Sequence, residues 1–526
     1  MLFSTFHRLV ACLLLCAAAQ AHALTAEAAR AMAAGDTDER IAALQQAIAT
    51  PDDATVAFIR AMADDSVKIA SGKAIVVKDD KGLDPVTGAT VPVPADAEDI
   101  VNNNRMRGEF DAALASLQLL SSDVAQRRAA VDALREETDE ARLPLIEKAL
   151  AAEQDAGLKS RLSAIRARML IGSSDPARRL EAANQLAESG NPATRTVLLE
   201  QLRAEQDPQA RAAMQAALKR VEDRLQWGER LAALFSGISL GSILLLVALG
   251  LAITYGLMGV INMAHGELMM IGAYATYVMQ GLFQKYLPGA FDWYLVAAVP
   301  VAFCASALMG AVLERGVIRF LYGRPLETLL ATWGISLVLQ QLVRTVFGAQ
   351  NVGVENPAWM SGGVQLMDNL QLPWNRLVIV AFAFAVLAGV AFLISRTRLG
   401  LFVRGVTQNR PIASCMGVNT ARVDTYAFAL GSGIAGLAGC ALSQVGNVGP
   451  DLGQSYIVDA FMVVVLGGVG QLAGTVYAAL GLGVLNKFLE GWTGAVLAKI
   501  AVLVLIIIFI QKRPQGIFAV KGRTAD

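Results

Sequence analysis

The chain has 526 residues, 55% of them apolar and 17% charged, with 45 Lys plus Arg balancing 45 Asp plus Glu. That zero net charge hides two unlike parts. Charged residues fill 62 of the first 230 positions, with acids in excess, but only 28 of the last 296, with bases in excess; a soluble domain carries about 25%, so a wholly soluble protein is excluded. Past residue 23 only His265, Cys304, Cys415 and Cys440 remain of their kinds. This leaves little room for a zinc-type site, a His-based nucleophilic enzyme or a disulfide framework, and no metal site is expected.

Met1 to Arg8 carries one Arg and no acid, Leu9 to Ala19 is apolar, and Ala21-His22-Ala23 places small residues at both recognition positions. The pattern predicts a secretory signal peptide over 1–23, cleaved after Ala23. Its apolar core is too short to span a bilayer, which takes about 20 residues.

Residues 24–230 are rich in Ala, Leu, Arg, Glu and Gln, with apolar residues at helical spacing (Ile41, Leu44, Ile48; Val131, Leu134). From Ser122 the sequence repeats at an offset of 52: Ser122-Asp123 matches Ser174-Asp175, Leu134 matches Leu186, and Ala152-Glu-Gln-Asp155 matches Ala204-Glu-Gln-Asp207. Asp123, Asp175, Asp207 and Asn191 read as helix caps, the last three followed by Pro at the first helical position. The expectation is a HEAT-like helical-repeat array offering surfaces to other proteins, or a plain spacer. Ala74–Val77 and Thr90–Pro94 predict a small β-hairpin insert. Arg127-Arg128 and Arg178-Arg179 alternate with acids, so they read as solvated faces and no nucleic-acid partner is expected.

After Trp227, apolar segments predict spans near 234–257, 262–282, 293–314, 328–347, 376–395, 424–445, 457–470, 472–488 and 495–511, the seventh and eighth short enough for a re-entrant hairpin. Five Arg and no acid lie between Arg396 and Arg422, and the tail carries Lys512, Arg513, Lys521 and Arg523. Both should face the cytoplasm. Nine or seven crossings then put residue 230 outside, which agrees with the signal peptide. Residues 24–230 are expected in the periplasm.

Asn262-Met-Ala-His265-Gly-Glu267, bracketed by Gly259 and Gly266, has the polarity of a broken helix lining a cavity. The alternative is a wet cytoplasmic turn. Thr332, Ser336, Gln340 and Gln341 sit in the fourth span, and Ser443, Gln444 and Asn447 end the sixth; such groups more often bond a neighbouring helix than a substrate. Gly431-Ser-Gly433-Ile-Ala-Gly436 spells the dinucleotide fingerprint but lies in a span with no strand before it, where its glycines let helices approach. A Walker phosphate loop is absent from the sequence, so energy must come from a gradient or another subunit. The basic loop Arg404–Val418 has room for a short helix ending at Gly417; it would dock an ATPase or be an ordinary positive-inside loop.

Gly259-Val-Ile-Asn-Met-Ala-His-Gly-Glu267, Gly272-Ala-Tyr274, the loop Arg404–Val418, Leu466-Gly-Gly-Val-Gly470 and Arg513-Pro-Gln-Gly-Ile-Phe518 together resemble the branched-chain amino-acid type permeases of ABC importers, over essentially all of 231–526. Within that family Gly446–Gln454, Gly468–Gly474 and Ile510–Gly516 are similar to the urea ABC transporter permease, as are the signal peptide and long helical extension. The resemblance implies an inner-membrane, multi-pass subunit paired with a second permease subunit, two cytoplasmic ATPase subunits that use ATP, and a periplasmic substrate-binding protein. No cofactor is expected on this chain. By the same resemblance Arg404, Gln408, Asn409, Arg410 and Gly417 belong to the ATPase-coupling loop, with its docking helix starting only after Pro411, where the wider family commonly has other residues.

The expected fold class is all-α: a polytopic membrane domain of seven to nine spans (231–526) after a signal peptide (1–23) and a soluble helical-repeat domain (24–230). The expected function is translocation of urea or a short amide, with a branched-chain amino-acid permease as alternative. A membrane-anchored scaffold or receptor is the alternative from another class, and an enzyme is disfavoured. The expected pathway residues are Asn262, His265, Glu267, Thr332 and Gln340, with Asn447 and Asp451 at the outer mouth.

Overall fold

The computed structural model describes residues 24–49, 52–78, 81–94, 97–135 and 142–518. The expected signal peptide lies outside them. The chain divides into two compact units, one ending at Leu225 and the other starting at Gln226.

In the first unit, α1 (Ala26–Ala33), α2 (Thr37–Ala49) and α3 (Asp53–Ala63) precede a small sheet, and α4 (Asn104–Gln118) follows it. Phe58, Ile59, Met62, Met106 and Phe110 are buried together between these elements. The sheet has five antiparallel strands in the order β4-β3-β2-β1-β5: β1 Val67–Ala70, β2 Lys73–Lys78, β3 Lys81–Leu83, β4 Thr90–Val91 and β5 Glu98–Asp99. This corrects the expected hairpin. Ala74–Val77 pairs first with Val67–Ala70, across a Ser71-Gly72 turn in which both residues have positive φ, and Lys81–Leu83 separates it from Thr90–Val91. The signal was weak because β3 is only three residues long.

Helices α5 (Val124–Ala133), α6 (Leu143–Ala152), α7 (Ala156–Leu170), α8 (Pro176–Leu186) and α9 (Pro192–Ala204) then pack on a continuous apolar core that includes Leu134, Ile146, Leu162 and Leu198. Asp123, Asp175 and Asn191 each accept a hydrogen bond from the second residue beyond them, and Asp207 from Ala210. These bonds satisfy amides that a helix start leaves orphaned. The 52-residue repeat is exact at one further pair of sites. Arg127 forks the Glu153 carboxylate at 2.8 and 3.1 Å while bonding the Ser121 and Ser122 carbonyls. Arg179 does the same to Glu205 at 2.6 and 2.8 Å and to the Ser173 and Ser174 carbonyls. Arg127 and Arg179 are thus largely covered internal clamps, which corrects their reading as solvated faces; Arg128 and Arg178 are exposed.

The second unit begins within α10 (Pro208–Met258), a helix that runs unbroken through position 230. It continues with α11 (His265–Tyr286), α12 (Tyr294–Gly316), α13 (Pro325–Phe347), α14 (Trp374–Arg396), α15 (Arg398–Gln408), α16 (Arg410–Cys415), α17 (Thr420–Ser443), α18 (Leu452–Gly467), α19 (Leu472–Thr493) and α20 (Ala495–Lys512). A two-stranded hairpin, β6 (Gly363–Met367) and β7 (Leu370–Pro373), lies between α13 and α14. Among the described residues seven helices are long and apolar enough to cross a membrane: α10, α12, α13, α14, α17, α19 and α20. The predicted second span is α11, which has 22 residues but is not among the seven. The predicted seventh is the 16-residue α18, whereas the eighth, α19, has 22 residues and is not short.

Helices α11, α12 and α17 pack on one another through small residues. A Cβ at Gly272 of α11 would overlap the Gly436 backbone of α17, and one at Gly436 would overlap Ser306 and the Ala302 carbonyl of α12. Ser306 of α12 donates to the Leu268 carbonyl of α11 at 2.8 Å. The glycines of Gly431-Ser-Gly-Ile-Ala-Gly436 are contact points of this kind, since lipid gives helices little reason to associate except close packing and hydrogen bonds.

A polar cluster inside the helical bundle

Helix α10 ends at Met258, Gly259 turns the chain with φ +66°, and α11 does not start until His265. By then the chain has turned back into the bundle. The His265 ring lies against Gly250 and its Nε2 is 3.2 Å from the Val247 carbonyl. Those residues precede the end of α10 by two to three turns, about 12 to 16 Å at 1.5 Å per residue. The segment 259–264 therefore connects the two helices within the protein. Asn262, His265 and Glu267 are 1%, 0% and 1% exposed, so the cluster is not a wet turn.

Non-helical backbone at that depth needs internal partners, and side chains supply them. The Asn262 side-chain oxygen accepts from the Ala264 amide at 3.0 Å, and the Met263 amide donates to Thr332 Oγ1 of α13 at 3.2 Å. Glu267 lies in the first turn of α11, where a negative side chain suits the helix dipole. Its Oε1 accepts from Ser336 Oγ and Gln340 Nε2 of α13, both at 2.8 Å. Its Oε2 is buried without a hydrogen-bond partner, as are Asn262 Nδ2, His265 Nδ1 and the Tyr274 hydroxyl.

The cluster reaches the loop before α18. Gly266 packs against Gly453, one residue into α18. Asp451 and Asn447 are exposed; between them Val448 forms a bridge to Val352 beyond α13. The structure thus gathers Asn262, His265, Glu267, Thr332 and Gln340 into one buried cluster; Asp451 stands two residues before Gly453 in the sequence, Asn447 four before that, and no described bond joins either to the cluster. Gln444 is used between helices, its Nε2 3.2 Å from the Tyr294 hydroxyl of α12, whereas the Ser443 hydroxyl donates to the Cys440 carbonyl of its own helix. Ser336 is among the polar residues named in the fourth span but not on the expected pathway, although its spacing of four from Thr332 and Gln340 puts all three on one helix face.

The loop from 397 to 419 is two helices, α15 and α16, joined at Asn409. This corrects the single short helix expected there. The second starts at Arg410 rather than after Pro411, because Pro fits the first turn and Asn409 caps it by accepting from Ile412 N at 3.1 Å. Gly417 ends it with φ +83°, and the paired bonds Val418 N to Ala413 O and Gly417 N to Ser414 O form a Schellman motif. Arg404, Gln408 and Asn409 are exposed. Arg410 is turned inward onto Asp424.

Residues 233–511 match the family model described as "branched-chain amino acid transport system / permease component". The chain belongs to that family. Among relatives of this permease component, the high-affinity branched-chain amino acid transport system permease protein BraD of Pseudomonas aeruginosa is 28% identical over 293 residues, 55% of this chain and 95% of the relative. The corresponding LivH protein of Escherichia coli is 29% identical over 294 residues, 55% of this chain and 94% of the relative. The ribose import permease protein RbsC of Escherichia coli is 28% identical over 207 residues, 37% and 61% of the two chains. These relatives are transport permeases, not enzymes. No solved structure matches the chain.

Proposed function

We propose that this chain is the membrane-spanning subunit of an ABC importer that moves a branched-chain amino acid, and that the cluster around Glu267 lies on its route. The observation that carries the reading is a buried carboxylate with one oxygen unpartnered, at the start of a helix that begins inside the bundle. An ionisable group inside a membrane domain is costly and in general marks a pathway. Its free oxygen suits a ligand N–H donor, such as the α-ammonium of a zwitterion. Urea offers N–H donors too, so Glu267 alone does not choose between them. The names of BraD and LivH favour the branched-chain substrate, whereas urea is supported by the short sequence similarities at 446–454, 468–474 and 510–516 and by the resemblance of the signal peptide and long helical extension.

In this reading the chain sits in the bacterial inner membrane beside a second permease subunit, takes substrate from a periplasmic binding protein, and is driven by ATP consumed in two cytoplasmic ATPase subunits. It holds no cofactor itself. Residues 1–23 are its signal peptide, and 24–230 form a periplasmic helical-repeat domain of HEAT-like kind that meets a protein partner. The deciding experiment compares uptake of labelled leucine and labelled urea in cells with and without the chain. Loss of leucine uptake alone is expected; loss of urea uptake alone overturns the substrate assignment.

A further inference from the structure

Arg410 opens α16 in the loop between α14 and α17. Its guanidinium pairs with the Asp424 carboxylate of α17 and lies over the Tyr322 ring, 5.2 Å from the centroid. Asp424 is completely buried, and its Oδ1 has no hydrogen-bond partner. Tyr322 follows α12, and its hydroxyl donates to Glu314 Oε1 at 3.0 Å while touching Met258 Sδ at 3.1 Å. Glu314 is also completely buried. It is forked by Arg319 at 3.3 and 3.2 Å and accepts from Thr425 Oγ1 at 2.7 Å. A continuous polar chain therefore runs from α16 to the start of α17, the end of α12 and the last residue of α10. Met258 is followed directly by Gly259 and the segment that carries Asn262 and delivers His265 and Glu267.

Two buried carboxylates held this way are a poor means of stabilising a bundle, because apolar side chains of similar volume serve as well or better. Removing one partner, by contrast, strands a buried charge. The arrangement suits transmission: contiguous, ion-paired at Asp424, stacked at Tyr322, hydrogen-bonded at Glu314, and anchored at one end in an exposed loop. We propose that Arg410, held by Asp424 and stacked on the Tyr322 that bonds Glu314, is the mechanical link that carries displacement of α16 to the 259–264 segment and so to Glu267. Arg410, Asp424 and Tyr322 are then positioning residues for transport. The inference rests on the reading that an ATPase subunit moves the loop, and it goes beyond that reading by naming the route inward.

The test uses the full chain with its partner subunits in liposomes, comparing the parent with Arg410→Met, Asp424→Leu and the double variant. Arg410→Met alone leaves Asp424 without its cation and should lower the amount of inserted protein. In the double variant insertion and thermal stability recover, but uptake per ATP hydrolysed falls about tenfold, within the 5- to 150-fold span of ordinary coupling energies. A parental ratio in the double variant overturns the link, since a merely structural pair would leave that ratio unmoved. A second measurement needs no ATPase. With Met263→Cys in a cysteine-free background, the permease alone should react with a water-soluble maleimide at a rate that the double variant changes about threefold or more. Equal labelling overturns the link even if no ATPase drives the parent, a result that would instead count against the transport reading.

Discussion

Glu267 Oε1 accepts from Gln340 Nε2 at 2.8 Å, joining α11 to α13, while Oε2 of the same carboxylate has no hydrogen-bond partner although the residue is 1% exposed. Folding alone does not explain a half-used carboxylate: an unmet buried acceptor costs about 1 to 3 kcal/mol. On the proposed route the free oxygen would be available to a passing donor.

Glu267→Ala should therefore reduce uptake at least about tenfold, the rate factor that ~1.4 kcal/mol represents. Asp368→Ala, an exposed position in the loop between β6 and β7, should leave uptake within about twofold of the parent. Both proteins must be present in the membrane in equal amounts, which immunoblotting of the membrane fraction checks. Equal uptake by the two variants would mean that the cluster only ties helices together.

Gly272→Val tests the packing that holds the cluster in place. The new side chain would meet the Gly436 backbone, which cannot rotate away as a side chain can. Overpacking costs about 1 to 3 kcal/mol and occasionally more, and a rigid obstacle belongs at the upper end. Thermal unfolding of the purified chain should show the loss. Gly281→Val on the same helix, where an added Cβ meets nothing within 4 Å, should melt close to the parent.

In the first unit the clamps give a pH dependence with a definite sign. The hydrogen bonds from Arg179 hold Glu205 down at about 2, and those from Arg127 do the same for Glu153. A carboxyl whose pKa is lower folded than unfolded contributes stability above its unfolded value, 4.5 here, and loses it as pH falls towards the folded value. The helical unit should lose stability between about pH 4.5 and 2, followed by circular dichroism melting of the full chain. Glu205→Gln together with Glu153→Gln should flatten the curve in that window while lowering stability at neutral pH. A parental slope in the double variant would assign the acid sensitivity to other carboxylates.

The spans and the helix starts of the first unit were readable because apolar runs and Pro after a capping residue are local signals. So was the concentration of polarity at 262–267. What was not readable depends on partners distant in sequence. Arg179 and Glu205 look like surface charges until folding brings them together across 26 residues. Arg410 looks like a positive-inside residue until Asp424 is seen beneath it. Glu314 and Asp424 had a usable signal, an acid at the margin of an apolar run, but without a fold nothing tells such a residue from an ordinary interfacial one. The sheet at 67–99 was under-read because its strands are two to six residues long and leave little periodicity.

Gly417 ends α16 in the left-handed region, φ +83°, with nothing within 4 Å of where a Cβ would stand. Gly417→Val therefore meets no steric obstacle and acts through backbone strain alone, about 1 to 2 kcal/mol for an L-residue. That is enough to fray a six-residue helix. ATP-driven uptake should fall several-fold while the amount of protein in the membrane stays the same. Gly405→Ala, in the interior of α15 with open space around it, is the matched control and should transport normally. Parental uptake by Gly417→Val would show that the end of α16 is not tightly fitted to any partner.

Orientation is the last prediction, and it follows from parity and charge. The helices α10 to α20 cross seven times if only the seven apolar ones span, and nine times if α11 and α18 also do. With either odd number the start of α10 and the end of α20 face opposite sides, whereas eight crossings, with only one of α11 and α18 spanning, would put them on the same side. The five Arg between 396 and 422 and the bases from Lys512 onward are expected on the cytoplasmic side, and with an odd number of crossings the prediction is that the first unit lies outside. The exposed turn at Gly88, between β3 and β4, is a site where an insertion leaves the helical cores intact. Alkaline phosphatase inserted after Gly88, with every downstream span retained, should be active in whole cells, and a cytosolic fluorescent reporter at the same position should be dark. The reverse pair of results would put the helical unit on the cytoplasmic side and the basic loop at 396–422 outside.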